Sequence, residues 1–364
     1  MTSAVDAASS VALAHPSRLD LPDGEALCTV TVVITSRNRK DDLRTALRSA
    51  VSQSVAPEVL VIDDGSSDGT AEMVRGEFPS VRLVRHDESL GLVVRRNEGA
   101  RLATGSVIVS IDDDAEFSSE RTLAQTLAEL AHPLVGAVAI PYREPRKGNK
   151  VFQHAGEGGE QFATDSFIGT AHAIKRELFL ALGGYREQLI HQGEERDLCI
   201  RMLEAGYVVR LGRADVIVHH ESPRRDRRRI EYYERRNDVL FAWHNVPMPA
   251  LAIHLAATTI NGMKAMAHAQ HPARMLRGLF DGYVACCRRW RERAPVSTDT
   301  YRLHRQLRKA GPLPLGCIRA RLRDSRDMFV PRPQGALCGS GDVAVAVDER
   351  PAGDSGSPAD SPTS

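Results

Sequence analysis

Short apolar runs alternate with amphipathic stretches between residues 30 and 141. The runs at 30–35, 59–63, 81–85, 107–111 and 135–141 have the length and the Val and Ile content of strands. After the first run, apolar residues recur at the spacing of a helix with one face in a core: Leu43, Ala46, Leu47, Ala50 and Val51. Further helices are predicted at 70–77, 92–103 and 123–130. Strands separated by helices of this length predict right-handed βαβ units and a mostly parallel α/β sheet.

The rest of the chain divides by its composition. The region 142–220 is mixed, and 224–328 is predicted to be mostly helical. The two ends are rich in small and polar residues that cannot support a packed core. We therefore expect four segments: a flexible leader at 1–25, an α/β domain at 26–223 with halves at 26–118 and 119–223, a helical region at 224–330 and a disordered tail at 331–364.

Charge and cysteine content exclude few classes of protein. The 364 residues carry a formal net charge of +1, so nothing draws the whole molecule to nucleic acid or to a membrane. The six cysteines lack the spacing of metal ligands, which favours reduced thiols. No apolar stretch reaches the ~18 residues of a membrane span, and no signal peptide is recognisable. We expect a soluble, cytoplasmic protein.

Three adjacent acids follow the fourth predicted strand. Asp112, Asp113 and Asp114 lie at its carboxyl end, which is the edge where open α/β sheets bind ligands. Three neighbouring carboxylates repel one another unless solvent or a cation neutralises them. The motif therefore predicts either a cation site or a solvated acidic turn.

Polar side chains also follow the other strands. Asp64 ends the second strand, where a carboxylate can accept hydrogen bonds from a base imide or a ribose hydroxyl. Thr35 and Arg37 lie at the end of the first strand and are expected to face the same cleft as Asp64. Arg95 and Arg96 are adjacent on a predicted helix. Because neighbours on a helix point about a quarter-turn or more apart, we do not expect the two arginines to share one role.

Two later segments add acids and histidines. Glu194, Glu195 and Asp197 begin a predicted helix. The helix dipole favours acids there, but three exceed what capping needs, so one of them is a candidate general base. His219 and His220 end a strand. Because successive strand residues point to opposite faces, only one of the two is expected to enter a cleft, where neutral imidazole can bind a metal.

An arginine-rich segment follows the histidines. It contains Arg224, Arg225, Arg227, Arg228, Arg229, Arg235 and Arg236. Such a run can be a solvated surface, an anion-binding patch or a mobile lid that clamps a diphosphate.

Taken in order, these segments resemble family-two glycosyltransferases of the GT-A fold. The resemblance extends from about 30 to 247 and includes VVITSRNR, VLVIDDGSSDGT, GLVVRRNEGA, VIVSIDDDAE, the Gly183-Gly184-Tyr185 turn, GEERDLCIRM and VIVHHES. Each piece is short, and it is their order and spacing that carry the resemblance. The implied fold is a Rossmann-like, mixed, mostly parallel sheet flanked by helices, with a helical C-terminal extension. The implied ligands are a nucleotide-sugar donor and Mg²⁺ or Mn²⁺.

The resemblance also implies the residues that bind the metal and the donor. Asp112 and Asp114 match the Asp-x-Asp metal pair, with Asp114 the stronger ligand. His219 matches a late histidine that approaches metal and diphosphate, and His220 is the alternate. Expected contacts to the nucleotide sugar come from Thr35, Arg37, Asp64, Arg96, Asp112 and Asp113.

The resemblance implies direct displacement with inversion at the anomeric carbon. Glu195 falls at the position of the catalytic base, and Asp197 and Glu194 are alternates. The acceptor is left open between a glycan, a lipid-linked molecule and a small molecule, and nucleic acid is not an expected partner. Peripheral contact with the inner face of a membrane is compatible with such acceptors.

Two other functions stay open on the residues alone. A sugar nucleotidyltransferase would also use acids and arginines, but it generally needs a Gly-rich phosphate loop with a lysine, and none precedes Asp41. A noncatalytic module could bind anions or a membrane surface through the arginine-rich segment and the helices that follow it.

Overall fold

The computed structural model of the chain describes residues 29–156, 158–221 and 226–326. The expected leader and tail lie outside these residues, as do Cys28, Cys338, Arg224 and Arg225. The four described cysteines are free thiols: Cys199, Cys286, Cys287 and Cys317.

The described residues form strands and helices in alternation. The strands are β1 (Val30–Ser36), β2 (Glu58–Asp63), β3 (Arg82–Arg85), β4 (Val107–Ser110), β5 (Ala115–Phe117), β6 (Val135–Ala139), β7 (Tyr142–Arg143), β8 (Val151–Phe152), β9 (Phe162–Thr164), β10 (His172–Lys175), β11 (Val208–Leu211), β12 (Ile217–His219) and β13 (Leu313–Pro314). The helices are α1 (Lys40–Val51), α2 (Thr70–Glu77), α3 (Leu92–Leu102), α4 (Thr122–Leu130), α5 (Arg176–Ala181), α6 (Glu194–Glu204), α7 (Arg227–Asn245), α8 (Ala250–Met266), α9 (Pro272–Arg288), α10 (Thr298–Ala310) and α11 (Leu315–Arg326).

Nine of the strands form the central sheet, in the order β13-β9-β11-β6-β10-β4-β1-β2-β3. Seven of them run in one direction, and β9 and β10 run against it. Because side chains alternate along a strand, β1 contributes to a core on each face. Val32 and Ile34 pack against α1, and Val33 packs with α3 on the other side. The predicted mixed, mostly parallel α/β sheet is confirmed.

A second sheet of four strands, β5-β12-β7-β8, was not predicted. Of its strands only β12, which ends at His219, was predicted; the others are two or three residues long, too short to show a period in the sequence. In this sheet Ala115 of β5 lies opposite His219 of β12. The pairing joins the segment after the acidic triplet to a strand about 100 residues later, and so brings His219 to the triplet.

Helices α7, α8 and α9 pack on one another, and two apolar clusters lie in this helical region. Helices α10 and α11 contribute to a cluster of the central sheet. The most extensive packing between two of these helices is that of α7 with α9, where Gly278 and Gly282 lie against the backbone of α7. Within the described residues, no helix combines the length and the apolar character needed to cross a membrane.

Candidate functional site

The acidic triplet lies at the carboxyl ends of β1 and β4. Asp112 Oδ1 accepts a 2.6 Å hydrogen bond from Arg96 Nη2. Asp113 accepts one from Ser36 Oγ at 2.8 Å and one from Arg39 Nη1 at 3.0 Å. The same Arg39 nitrogen donates to Asp114 Oδ2 at 2.8 Å. The three carboxylates are therefore held by cationic and hydroxyl groups rather than left as a solvated turn.

Two of these acids and one histidine form a candidate metal centre. Asp112, Asp114 and His219 each offer a ligand atom, and these atoms lie within 4.8 Å of one another. His219 Nε2 is 3.4 Å from Asp114 Oδ1, and its Nδ1 is 3.2 Å from Glu144 Oε1. Two carboxylates and an imidazole suit a divalent cation, and a carboxylate behind the imidazole fixes the direction in which the ring presents its nitrogen.

The electrostatics of the triplet also suit a cation. Burial raises the pKa of Asp113 to about 7, and the charge of Asp114 adds to this while Arg39 opposes it. Burial lowers the pKa of His219, but the hydrogen bond to Asp114 and the charges of Asp112 and Asp114 outweigh it, so the pKa is raised. The rise at His219 records the negative charge of Asp112 and Asp114, which a divalent ion bound here would neutralise.

The acids at the start of α6 approach the same place. Arg96 Nη1 lies 3.8 Å from Glu194 Oε1 and 3.7 Å from Glu195 Oε1. Burial raises the pKa of both glutamates; the charge of Glu195 adds to the rise at Glu194, and Arg96 opposes it at both. The side chain of Glu195 is 19% exposed and that of Glu194 only 3%, so Glu195 is the more accessible of the two.

Asp197 occupies a different environment. Its buried carboxylate pairs with Arg186 at 2.6 Å and with Arg201 at 2.9 Å, and it accepts a 2.7 Å hydrogen bond from Asn245. Burial alone would raise its pKa, but the two arginines and the amide lower it to about 2. These contacts join α6 to α7, so the carboxylate of Asp197 serves the packing of the helices.

Asp64 is enclosed by the segment that leads into α3. Its carboxylate accepts hydrogen bonds from Ser89 Oγ, the backbone nitrogens of Leu90 and Gly91, and Arg95 Nε, at 2.6 to 2.9 Å. A nucleoside that contacted this carboxylate would share it with these donors. Arg95 thus pairs with Asp64 while Arg96 pairs with Asp112, so the two arginines contact different carboxylates.

The remaining predicted residues lie in different environments. The Thr35 hydroxyl is buried, and it has no hydrogen-bond partner among the residues that the structure describes. Arg37 is exposed, and it is Arg39 that contacts the acids. As expected from strand geometry, His219 is buried at the triplet, while His220 is half-exposed and bonds Glu116 at 2.8 Å.

Several residues of the site had no signal in the sequence. Glu144 reaches His219 from the loop after β7, and Thr170 Oγ1 lies 3.2 Å from the Asp112 nitrogen. Gly169 is the tightest point: a Cβ there would lie 2.5 Å from Arg96 Nη1 and 2.5 Å from Glu195 Oε1. A lone glycine in a mixed region does not indicate such an approach, since it depends on the packing of three distant segments.

The sequence of the chain is similar to those of known proteins. Residues 31–185 match the family model "Glycosyl transferase family 2". Glucosyl-dolichyl phosphate glucuronosyltransferase of Haloferax volcanii is 27% identical over 197 residues, which cover 48% of this chain and 63% of that protein. Pre-mycofactocin glycosyltransferase of Mycobacterium tuberculosis is 27% identical over 231 residues, which cover 59% and 47%. The chain thus spans less than two-thirds of the length of these relatives.

A solved structure shares the fold. The crystal structure of GalNAc-T7 with UDP, GalNAc and Mn²⁺ matches with a TM-score of 0.50 and 19% identity, over 62% of this chain and 49% of that one. The expected GT-A architecture is confirmed. Glycosyl transferase family 2 is thus the family that the domain at residues 31–185 matches.

Proposed function

We propose that the protein is an inverting glycosyltransferase that moves a sugar from a nucleoside-diphosphate donor to an acceptor hydroxyl. The observation that carries the proposal is the position of Arg96, whose guanidinium contacts Asp112 on one side and lies within 4 Å of Glu195 on the other. The proposed metal ligand and the proposed base thus lie on either side of one guanidinium.

The residues at one end would hold the metal. Asp112, Asp114 and His219 would bind Mg²⁺ or Mn²⁺, which when bound supplies a Lewis acid for the charge that grows on the leaving diphosphate. The Mn²⁺ in the GalNAc-T7 structure supports this choice of ion. Arg39 and Arg96 add fixed positive charge beside the same position.

At the other end, Glu195 would act as general base. It takes the proton of the acceptor hydroxyl as that oxygen bonds to the anomeric carbon, and the sugar–phosphate bond breaks with its electron pair leaving on the diphosphate. Attack from the face opposite the leaving group inverts the anomeric configuration. The raised pKa of Glu195 supports this role, since a base with a pKa nearer to neutrality accepts a proton more readily.

The other donor contacts are proposed with different support. The unpartnered hydroxyl of Thr35 favours a ligand contact. Asp64, Asp113 and Arg37 are kept as donor contacts on the family resemblance. Glu194 and Asp197 are the weaker alternates for the base, because Glu194 is buried and Asp197 is ion-paired. His220 is the weaker alternate for the metal ligand, because it is half-exposed.

The test is binding of nucleotide sugars, followed by transfer. With Mn²⁺, one member of a panel of uridine, thymidine and guanosine diphosphate sugars should raise the melting temperature, since a ligand that binds the native state stabilises it. The Asp114→Asn variant should lose this rise, and Asp299→Asn, at an exposed site on α10, should keep it. No stabilisation by any donor, or an unaffected Asp114→Asn variant, would contradict the proposal. Pyrophosphate release from a nucleoside triphosphate and a sugar phosphate would replace it with a nucleotidyltransferase.

A further inference from the structure

Exposed apolar side chains are concentrated in the C-terminal helices. Of the twelve large hydrophobic side chains that are exposed in the described part of the chain, seven lie between 248 and 290. On α8, Ile253, Ile260 and Met263 are 72%, 47% and 52% exposed. With the exposed Ala256 and Ala257 they form one stripe, called here the α8 face. A contiguous apolar stripe on a surface indicates a partner.

A cationic cavity is lined by the adjacent side of α8. Its volume is about 270 Å³, and three arginines line it: Arg196, Arg235 and Arg308. The lining contains one acid, Asp238, which pairs with Arg196 at 2.8 Å and with Arg235 at 3.3 Å. The lining therefore carries an excess of positive charge, even though Glu234 and Asp165 at its margin pair with Arg235 and Arg308.

The polar side chains that α8 adds to the cavity lie next to the apolar stripe. His254, Thr258 and Asn261 line the cavity. At about 100° per residue, these positions form a stripe rotated by roughly a quarter-turn from Ile253 and Ile260. The pKa of His254 is lowered to about 4 by burial and by the charges of Arg196 and Arg305, which outweigh Asp238. The contributions of the two arginines to this shift agree with the positive charge of the lining.

We propose that the α8 face docks on an anionic phospholipid bilayer, with lipid phosphate groups entering the arginine-lined cavity. An apolar stripe beside clustered arginines matches the two parts of such a surface, acyl chains and phosphates. The net positive charge of residues 226–293 also favours an anionic surface, since this range contains twelve Arg and Lys against six Asp and Glu. This docking surface goes beyond the proposed function, and none of its residues belongs to the Asp112–Glu195 cleft.

The test is cosedimentation of the full chain with lipid vesicles. Vesicles of phosphatidylglycerol should bind the protein at least tenfold more tightly than vesicles of phosphatidylcholine, and salt should weaken the binding. The double variant Ile253→Asn, Ile260→Asn should reduce binding at least fivefold. Its matched control is Val51→Asn, Val151→Asn, which changes two exposed apolar residues elsewhere and should bind as the wild type does. Both double variants change exposed residues, and their melting temperatures verify that they fold.

The cationic part is tested separately. Arg308→Gln should weaken binding to phosphatidylglycerol vesicles several-fold, and Arg302→Gln, which changes an exposed arginine of the same helix outside the cavity, should not. Equal binding of the wild type and the Asn double variant would overturn the proposal. So would a wild-type dimer, seen by analytical ultracentrifugation, that the Asn variant converts to a monomer without any vesicle binding. No nucleotide sugar is present in these assays, so their outcome is independent of sugar transfer.

Discussion

Arg96 donates a 2.6 Å hydrogen bond to Asp112 through one terminal nitrogen, while its other terminal nitrogen lies 3.7 Å from Glu195. Burial would lower the pKa of this guanidinium, but the charges of Asp112, Tyr185 and the two α6 glutamates raise it. One buried cation therefore spans the distance between the proposed metal ligand Asp112 and the proposed base Glu195. The distance matters because the sugar has to fit between them.

Gly169→Ala should disrupt this relationship. The added Cβ would fall 2.5 Å from both Arg96 Nη1 and Glu195 Oε1, so one of the two side chains must move. Misplacement of a reacting group by about 1 Å can reduce a rate about 100-fold, and we expect a loss of kcat of that order with Mn²⁺ affinity retained. Gly159→Ala is the control, since no atom lies within 4 Å of a Cβ there. Equal kcat values for the two variants would contradict this account of Gly169.

Glu195→Gln should separate chemistry from binding. The amide cannot accept the acceptor's proton, so kcat should fall about 10²–10⁴-fold while the Kd for the donor changes little. Glu194→Gln should have the smaller effect, because that side chain is almost fully buried. In the wild type the base must be ionised, so kcat should decline as pH falls through the raised pKa of Glu195. A pH profile with its acid limb at or below the ordinary glutamate pKa, about 4.3, would contradict the role.

The parts of the molecule that were predictable are local. The strand before Asp112 shows its apolar run and the acids that follow it in ten consecutive residues, and α1 shows its buried stripe in twelve. In both cases the period along the sequence reflects burial on a single element. Between residues 30 and 111, the predicted element boundaries therefore agree with the structure to within three residues.

The parts that were not predictable depend on contacts between distant segments. The approach of His219 to Asp114 depends on the pairing of β5 with β12, and Glu144 reaches His219 across 75 residues. Arg39 rather than Arg37 contacts the acids because of how the loop after β1 turns, and Asn38 at φ +54° helps to set this turn. The role of Asp197 as an anchor depends on Arg186 and Asn245, which no local pattern connects to it.

The two adjacent histidines give a matched test of the metal centre. His219→Ala should weaken Mn²⁺ binding at least tenfold, because it removes one of three candidate ligands. His220→Ala should leave it unchanged, because His220 faces the other side and pairs with Glu116. Glu144→Gln should weaken binding about 10–100-fold by releasing the imidazole from its orientation. Titration calorimetry measures all three affinities, and equal values for the two histidine variants would exclude His219 as a ligand.

Asp197→Asn should destabilise the fold rather than act on catalysis directly. Removing the charge leaves Arg186 and Arg201 without their buried partner, and the breaking of such a pair destabilises a protein by about 3–5 kcal/mol. The pKa of Asp197 is lowered to about 2, so its contribution is complete above the unfolded value of about 3.9 and is lost as pH falls toward 2. Urea unfolding at pH 7 measures the loss, with the exposed Asp299→Asn as control. A change in unfolding free energy below 1 kcal/mol would contradict the anchoring role.

Buried neutral histidines should make the protein less stable in mild acid. Burial is the main cause that lowers the pKa of His172 and His304 to about 3, and of His244 and His254 to about 4. Below the unfolded value of about 6.5 the unfolded chain binds protons that the native chain does not, so stability falls as pH falls from about 6.5 toward the folded values. Each such histidine adds at most about 1.4 kcal/mol per pH unit to that slope. His304→Gln should reduce the shift of the urea midpoint between pH 7.5 and 5.5, and His268→Gln, at an exposed position, should not. If the His304→Gln variant kept the full shift of the urea midpoint, His304 would have to be charged in the native protein at pH 5.5. The burial of His304 beside Arg196 and Arg308 would then need a different explanation.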